Sequence, residues 1–184
     1  MKVFITGPLF NPKEREENLE IDEVLKSSGH ETFLPQRDGF LLQDITQELK
    51  NSVDVEDAER MAVEIIFLFD AYNASENCDA VVFNLNGRVP DEGGLIEAAL
   101  AVSGGKKVVF YKNDSRSLIL GRDNPMIGGL VDFKIVKNIE EIPSALSSTE
   151  NNFKEEIKKA KEIFGEYEKE KTIKNLVRLA KEYL

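Results

Sequence analysis

The sequence predicts an α/β protein with a doubly wound, mainly parallel sheet of five strands, followed by a C-terminal helical extension. Three observations carry this prediction. Short β-rich segments alternate with segments of helical periodicity between residues 2 and 136, and most connections between them are short. The last 34 residues carry helical periodicity alone.

A strand, a helix and a second strand follow one another at the N-terminus, which is the unit that builds parallel sheets. Asn11 is a favoured N-cap, and the fixed backbone of Pro12 suits the first helical position. Glycine and proline mark the ends of the segments. In chain order they are a strand over 2–6, which ends at Gly7-Pro8, a helix from Pro12, which ends at Ser27-Ser28-Gly29, and a strand over 31–34, which ends at Pro35.

The middle of the chain supplies three more strands. Residues 36–54 carry little periodic signal, and we expect a loop there with at most one short helix. Apolar residues at helical spacing predict a helix over 55–77. The remaining predicted elements are a strand over 80–85, a helix of small residues over 93–102, a strand over 106–111 and a weaker strand over 133–136. Helices that alternate with strands in this way cover both faces of a flavodoxin-like or Rossmann-like sheet.

The C-terminal segment differs from the rest in pattern and in charge. Apolar residues on both sides of Gly165 predict two amphipathic helices with Lys and Glu on their outer faces. Residues 151–184 carry a net charge of +2, whereas residues 1–150 carry −12. We therefore divide the chain into an α/β domain over 1–148 and a helical extension over 149–184, which packs on the domain or on a partner subunit.

Composition and charge exclude several classes of function. With 41% hydrophobic and 32% charged residues, the chain can bury a core and is not a disordered segment. The net charge of −10 counts against a nucleic-acid polymer or an anionic membrane as a partner. The apolar runs are far shorter than the ~18 residues of a membrane-spanning helix, and the N-terminus lacks a signal-peptide pattern. Together with a single cysteine, Cys78, these features predict a cytoplasmic protein.

The sequence also lacks the patterns of metal and cofactor sites. One His and one Cys leave no set of zinc ligands. The spacing of the Asp residues does not match a calcium loop, and no glycine-rich dinucleotide or phosphate-binding motif opens a helix. We expect no metal and no cofactor.

Three loops with unusual content leave the predicted strands at their carboxyl ends, where open parallel sheets bind ligands. They span 7–11, 86–94 and 113–126. The second loop leads into a helix of small apolar residues that contains one carboxylate, Glu97. Asp91 and Glu97, six residues apart, suit acid/base or nucleophilic chemistry on a sugar. An exposed Glu and a helix-capping Asp explain the same spacing, so the spacing alone leaves both interpretations open.

Several sequence blocks resemble the nucleoside 2-deoxyribosyltransferase family. In the family's order they are Gly7-Pro8-Leu9-Phe10, Phe33-Leu34-Pro35 with Gln36-Arg37-Asp38-Gly39, Asp70 ahead of Cys78-Asp79-Ala80-Val81-Val82, Pro90-Asp91-Glu92-Gly93-Gly94-Leu95-Ile96-Glu97, and Asn124-Pro125-Met126. The resemblance covers residues 2 to about 137 and leaves the C-terminal helices outside it. It implies transfer of a 2-deoxyribosyl group between nucleobases through a covalent glycosyl-Glu intermediate, with a nucleoside and a free nucleobase as substrates.

The resemblance also implies roles for individual residues. Glu97 would be the nucleophile, and Asp70 would be the acid that protonates the departing base, which requires a raised pKa. Asp91 would complete the catalytic set and line the nucleoside pocket, and Gln36 would contact the base. Asn124 would come from a neighbouring subunit to the sugar 5′-hydroxyl, so a homo-oligomer with shared active sites is expected. The other implied substrate contacts are Gly7, Pro8, Phe10, Gly94 and Met126.

The chain departs from the family pattern at two places. The first strand of the family often carries a tyrosine whose hydroxyl contacts the nucleophile, and the matching residue here is Phe4. We expect Glu97 to lack that donor, which would raise its pKa. The spacing from Asp70 to Asp79 is one residue longer than the family pattern, which weakens the assignment of Asp70 as the acid.

Two other functions stay open. Water could accept the sugar in place of a base, which would make the protein a nucleoside or nucleoside 5′-monophosphate N-glycoside hydrolase. Relatives that act on monophosphates hold the phosphate with serines and a basic group, whereas the first loop offers Lys13 and Arg15 but no serine, which favours a free nucleoside. The third function is a catalytically silent nucleotide-binding module with a decayed site, which the joint presence of Asp91, Glu97 and Asn124 opposes.

Overall fold

The computed structural model describes residues 1–87, 89–115 and 123–183. Within these residues the strands are β1 (Lys2–Thr6), β2 (Glu31–Phe33), β3 (Ala80–Asn84), β4 (Lys107–Tyr111) and β5 (Ile135–Val136). They form one sheet in the order β2-β1-β3-β4-β5, and every pairing is parallel. The predicted doubly wound, parallel α/β fold is confirmed. The strand order reverses between β1 and β3, and this is where such sheets bind their ligands.

Seven α-helices of the described residues belong to the α/β domain. They are α1 (Pro12–Ser27), α2 (Pro35–Asp38), α3 (Leu42–Leu49), α4 (Val55–Tyr72), α5 (Glu92–Ser103), α6 (Pro125–Gly129) and α7 (Ile142–Ser148). Two of them, α6 and α7, were not predicted from the sequence, and the prediction of a loop over residues 36–54 was wrong. Residues 36–54 form two helices where a loop with at most one helix is expected. The eight residues of α3 are too few to show a clear period, and α3 is stabilised by packing on α4. The missed helices α6 and α7 are shorter still.

The two faces of the sheet carry different cores. The core on the α1 side also includes α7, and its members are Val3, Ile5, Ile21, Leu25, Leu34, Ala80, Val82, Val109, Tyr111, Ile142 and Leu146. The opposite face is aromatic, with the Phe83 and Phe110 rings 5.3 Å apart, and it is covered by buried alanines of α4 and α5. Side chains alternate between the faces along a strand, so Ile5 points to the α1 side, whereas Phe4 and Thr6 point to the α5 side.

Residues 152–184 form a second compact unit, separate from residues 1–151. It consists of α8 (Phe153–Tyr167) and α9 (Ile173–Tyr183), the two helices that apolar periodicity predicts. The two helices pack on each other, and exposed Lys–Glu pairs such as Lys159–Glu156 line their outer surface. Across the residues that the structure describes, no helix is long and apolar enough to cross a membrane.

Candidate active site

Glu97 lies in the second turn of α5 and reaches the carboxyl end of β1. Its carboxylate oxygen Oε2 accepts a hydrogen bond from the hydroxyl of Thr6, the last residue of β1. Ninety-one residues separate the two partners in the sequence. The contact exists because α5 covers the face to which Thr6 points, beside the position where the strand order reverses.

The surroundings of Glu97 disfavour its charge. The pKa of Glu97 is raised to about 7, chiefly by burial, and the hydrogen bond from Thr6 opposes part of this rise. Repulsion from the carboxylates of Asp70 and Asp91 contributes a smaller part of the same rise. A partly buried carboxylate whose pKa is raised toward neutrality, at the end of a strand, is typical of functional sites.

Asp70 lies in the last turn of α4 and is partly buried, and burial raises the pKa of its carboxyl. It acts electrostatically on Glu97, so the structure brings the predicted acid and the predicted nucleophile together. The segment between Asp70 and Asp79, which is expected from the sequence to be one residue longer than the family pattern, continues α4. A π-helical turn over Asn73–Asn77 continues α4, and its i→i+5 hydrogen bonds accommodate more residues per turn than an α-helix.

Asp91 is the N-cap of α5, and its Oδ2 accepts a hydrogen bond from the Gly94 backbone N–H at 2.6 Å. The helix-capping interpretation of Asp91 therefore holds, while its charge also acts on Glu97. Gly94 is buried and has no room for a side chain, since a Cβ there would lie 2.6 Å from the Phe83 ring and 2.9 Å from Thr6 Oγ1. Glycine at this position lets α5 approach β1 closely enough for Thr6 to bind Glu97.

The first loop, 7–11, is also held by close backbone packing. A Cβ on Gly7 would lie 2.7 Å from Cβ of Asn84, so only glycine fits. Pro8 is buried and its carbonyl accepts a hydrogen bond from Asn18 Nδ2 at 2.9 Å. The side chain of Phe10 is 79% exposed, and its backbone N–H donates to the Glu14 carboxylate at 2.9 Å.

Four asparagines around Glu17 form a carboxamide cluster on the α1 side of the same sheet edge, which the sequence analysis missed. Its members are Asn18, Asn84, Asn86 and Asn113. Asn84 Nδ2 donates to Glu17 and to Asn18, both at 2.9 Å, and Asn86 Nδ2 donates to Glu17 at 2.8 Å. Asn86 Oδ1 accepts from the backbone N–H of Asn113 at 2.8 Å. Polar residues at alternate positions after the apolar part of β3, Asn84 and Asn86, are the sequence signal of this cluster.

Gln36 lies in α2. An ion pair links this helix to α1, with the guanidinium of Arg37 2.7 Å from the carboxylate of Asp22. The side-chain amide of Gln36 donates to the Arg15 carbonyl at 2.9 Å. Its carbonyl oxygen Oε1 is buried and has no hydrogen-bond partner in the described part of the chain. The predicted base-contacting group thus has one unused acceptor.

Asn124 is the N-cap of α6, and Met126 lies in its first turn. Asn124 is exposed and caps α6 by accepting the Met126 N–H at 2.9 Å, and the Met126 side chain is 79% exposed. Over residues 1–87, 89–115 and 123–183, no hydrogen bond links either residue to Glu97. The sequence loops 86–94 and 113–126 also contain Arg88 and residues 116–122, which fall outside the described residues.

No group of three or more His, Cys, Asp or Glu side chains is arranged to hold a metal ion in the residues that can be described. What the site offers is a pair of partly buried carboxylates, Glu97 and Asp70, beside a hydroxyl donor. Two carboxyl groups in such different surroundings can act as nucleophile and general acid on a glycosidic bond.

The model of the family described as nucleoside 2-deoxyribosyltransferase matches residues 3–175 of the chain. The chain belongs to this family. The match continues beyond residue 137 into α9, so the narrower extent inferred from the sequence, which left the C-terminal helices outside, was wrong. No curated protein sequence matches the chain significantly.

The chain is similar to several solved structures, all at low sequence identity. A conserved protein from Enterococcus faecalis is 20% identical, with a TM-score of 0.60 and coverage of 80% of this chain and 97% of that one. A 2-deoxyribosyltransferase from Bacillus psychrosaccharolyticus is 15% identical, with a TM-score of 0.52 and coverage of 78% and 90%. A CMP N-glycosidase from Clostridium botulinum is 16% identical, with a TM-score of 0.48 and coverage of 80% and 99%.

Proposed function

We propose that this member of the family is a nucleoside 2-deoxyribosyltransferase that uses Glu97 as the nucleophile and Asp70 as the general acid. The observation that carries the proposal is the partly buried Glu97 carboxylate, which accepts a hydrogen bond from Thr6 at the carboxyl edge of the sheet and interacts with the charge of Asp70. Family membership supports a nucleoside as the substrate. The two carboxyl groups supply the chemistry that glycosyl transfer with a covalent intermediate needs.

The reaction takes two displacement steps at the anomeric carbon. In the first, an oxygen of ionised Glu97 bonds to that carbon while the N-glycosidic bond breaks, and protonated Asp70 gives its proton to the departing base. In the second, a nitrogen of the acceptor base bonds to the anomeric carbon, the bond to Glu97 breaks, and Asp70 takes the proton that the acceptor loses. Both carboxyl groups return to their starting state.

The active form has Asp70 protonated and Glu97 ionised, and burial affects both groups. Burial raises the pKa of Asp70, which favours the acid, whereas a Glu97 pKa raised to about 7 restricts the nucleophile at lower pH. The pH profile is therefore expected to be bell-shaped, because activity falls on the acid side as Glu97 is protonated and on the alkaline side as Asp70 loses its proton. Because the two carboxyl groups interact, the pH profile describes the pair.

The experiment is to incubate the protein with deoxyadenosine and a different free base and to separate the products by chromatography. A new nucleoside is expected. Free deoxyribose without a new nucleoside would identify the N-glycoside hydrolase, which uses the same site with water as the acceptor, and an unchanged substrate would identify the silent binding module. Mass spectrometry with a slow substrate should find one deoxyribosyl group on the peptide that contains Glu97, and none in Glu97→Gln.

The proposal includes a homo-oligomer in which Asn124 of one copy completes the site of another. Asn124 and Met126 are exposed and make no hydrogen bond to Glu97 of their own chain in the described residues, which supports a role toward a second copy. Mixing inactive Glu97→Ala with inactive Asn124→Ala should restore activity once subunits exchange, since some sites receive both intact residues. Mixing Glu97→Ala with the double variant is the matched control and should restore none. An active monomer in solution scattering would refute shared sites.

A further inference from the structure

The end of β1 presents two residues to the side of the sheet that carries α5, Phe4 and Thr6. Residues two apart on a strand share a face. The Phe4 ring is buried, with its centroid 5.5 Å from that of Phe33, and it has no hydrogen-bond donor. Thr6 Oγ1 donates to Glu97 Oε2 from the same face. The donor that the family pattern places at residue 4 is therefore supplied by residue 6.

Thr6 is held firmly in this position. The residue is only 4% exposed, and its hydroxyl lies so close to Gly94 that a Cβ there would come within 2.9 Å of Oγ1. Threonine is branched at Cβ, which restricts rotation about χ1. A carboxylate bound to such a hydroxyl keeps one orientation.

The charged groups that face Glu97 come from two helices, and all of them are acidic. Asp70 faces it from α4 and Asp91 from the start of α5, and both make the ionised form of Glu97 less favourable. No cation acts on Glu97 within the part of the chain that the structure describes. Thr6, from β1, is the neighbour that favours the ionised form, since a hydrogen bond to a carboxylate stabilises its charge.

We propose that Thr6 is the positioning residue of the site: its hydroxyl orients the Glu97 carboxylate for attack and favours the ionised form, in place of the hydroxyl that Phe4 lacks. The hydrogen bond from Thr6 to Glu97 is a feature of the structure. Its effect on catalysis rests on the proposed transferase function. Thr6 touches the nucleophile and acts through it, so its removal affects the rate and the pH profile more than substrate binding.

The test compares Thr6→Val, which keeps the shape and loses the hydroxyl, with Thr6→Ser, which keeps the hydroxyl. The carboxyl carbon of Glu97 is titrated by 13C NMR and assigned by its absence in Glu97→Gln. Thr6→Val should raise the pKa of Glu97 by about one unit. In the same variant kcat should fall about tenfold with KM little changed, because orientation is lost and binding is not. Thr6→Ser should remain close to wild type in both measurements.

An unchanged titration of Glu97 in Thr6→Val would overturn the inference, as would equal defects in the Ser and Val variants. If Thr6→Val does not fold, Thr6→Ala provides the same comparison. The NMR titration does not depend on turnover. A wild type that converts no nucleoside would refute the transferase proposal while the role of Thr6 toward Glu97 is still decided by its titration.

Discussion

Two clusters of polar side chains lie at the carboxyl edge of the sheet, one on each face. They differ in how far hydrogen bonds compensate for the burial of their polar groups. In the carboxamide cluster, Asn84 donates two hydrogen bonds and accepts a third from the Asn86 N–H. In the carboxylate site of Glu97, Asp70 and Asp91, burial raises the pKa of both Glu97 and Asp70, and among the described residues Thr6 is the hydrogen-bond donor to Glu97.

The difference separates a structural cluster from a functional one. The buried, hydrogen-bonded amides of Asn18, Asn84 and Asn86 stabilise the fold, and the cluster ties β3 to α1 and to the segment that follows β4. Buried carboxylates with raised pKa values reduce stability near neutral pH, since ionising them in the folded protein is unfavourable. A group that reduces stability and is nevertheless held in a fixed geometry is a candidate for chemistry.

The largest effect is expected from Glu97→Gln, which removes the charge with little change in shape. Sugar transfer should fall by at least about 10³-fold, because the amide cannot form the covalent intermediate. Initial rates of product formation measure this effect, and circular dichroism checks that the fold is retained. Activity within tenfold of wild type would remove Glu97 from the role of nucleophile.

Asp70→Asn should give the next largest effect, and it should depend on the leaving group. For ordinary bases we expect a loss of about 10²–10⁴-fold, because the amide has no proton to give at the required acidity. Nucleosides with activated bases, which can depart unprotonated, should be affected far less. The ratio of kcat/KM for the two substrate types measures this, and an equal loss on both would assign Asp70 to binding or structure.

Asn84→Asp tests the structural role of the carboxamide cluster. The side chain is fully buried, and the change removes the amide that donates to Glu17 and places a second carboxylate beside it. We expect the free energy of unfolding to fall by about 3 kcal/mol. Urea denaturation measures it, and the exposed Asn51→Asp is the matched control, which should change little. Equal stability of the two variants would contradict the structural role of the cluster.

Glu97→Gln, unlike Asn84→Asp, should increase the free energy of unfolding, and the increase should depend on pH. Because the pKa of Glu97 is raised to about 7 in the folded protein, above its unfolded value, ionisation destabilises the fold as the pH rises. The variant should therefore be more stable than wild type at pH 8, by up to roughly 3 kcal/mol, with the difference shrinking toward pH 5. Urea denaturation at both pH values tests it, and a difference that does not vary with pH would contradict the raised pKa.

Phe4→Tyr should have the smallest effect. Because Phe4 replaces a tyrosine of the family pattern, the sequence predicts that Glu97 lacks a hydroxyl donor. In the structure the hydroxyl of Thr6 donates to Glu97. The acid limb of the pH–rate profile should therefore move by less than about half a unit, compared with about one unit for Thr6→Val. A larger downward shift in Phe4→Tyr would mean that Thr6 only partly replaces the missing tyrosine.

The sequence predicts local features of this protein better than contacts between distant segments. Asn11 and Pro12 mark the start of α1, and the capping box that they begin is present. The contact of Thr6 with Glu97 could not be predicted, because it depends on how closely α5 approaches β1. Gly94 permits that approach, but the contacts around it depend on the three-dimensional packing, which the sequence alone does not give. Helix α3 escaped prediction because its stability comes from packing on α4.

The π-helical turn between α4 and β3 has a consequence for how the chain can vary in length. Two internal hydrogen bonds close the turn, from Asn73 Nδ2 to the Phe69 carbonyl at 2.8 Å and from Asn77 Nδ2 to Asn73 Oδ1 at 2.7 Å. A turn with i→i+5 hydrogen bonds contains more residues than an α-helical turn, and it lies between Asp70 and Asp79. We therefore expect deletion of one residue in this segment to convert the turn to α-helical hydrogen bonding, with Asp70 and Asp79 little displaced.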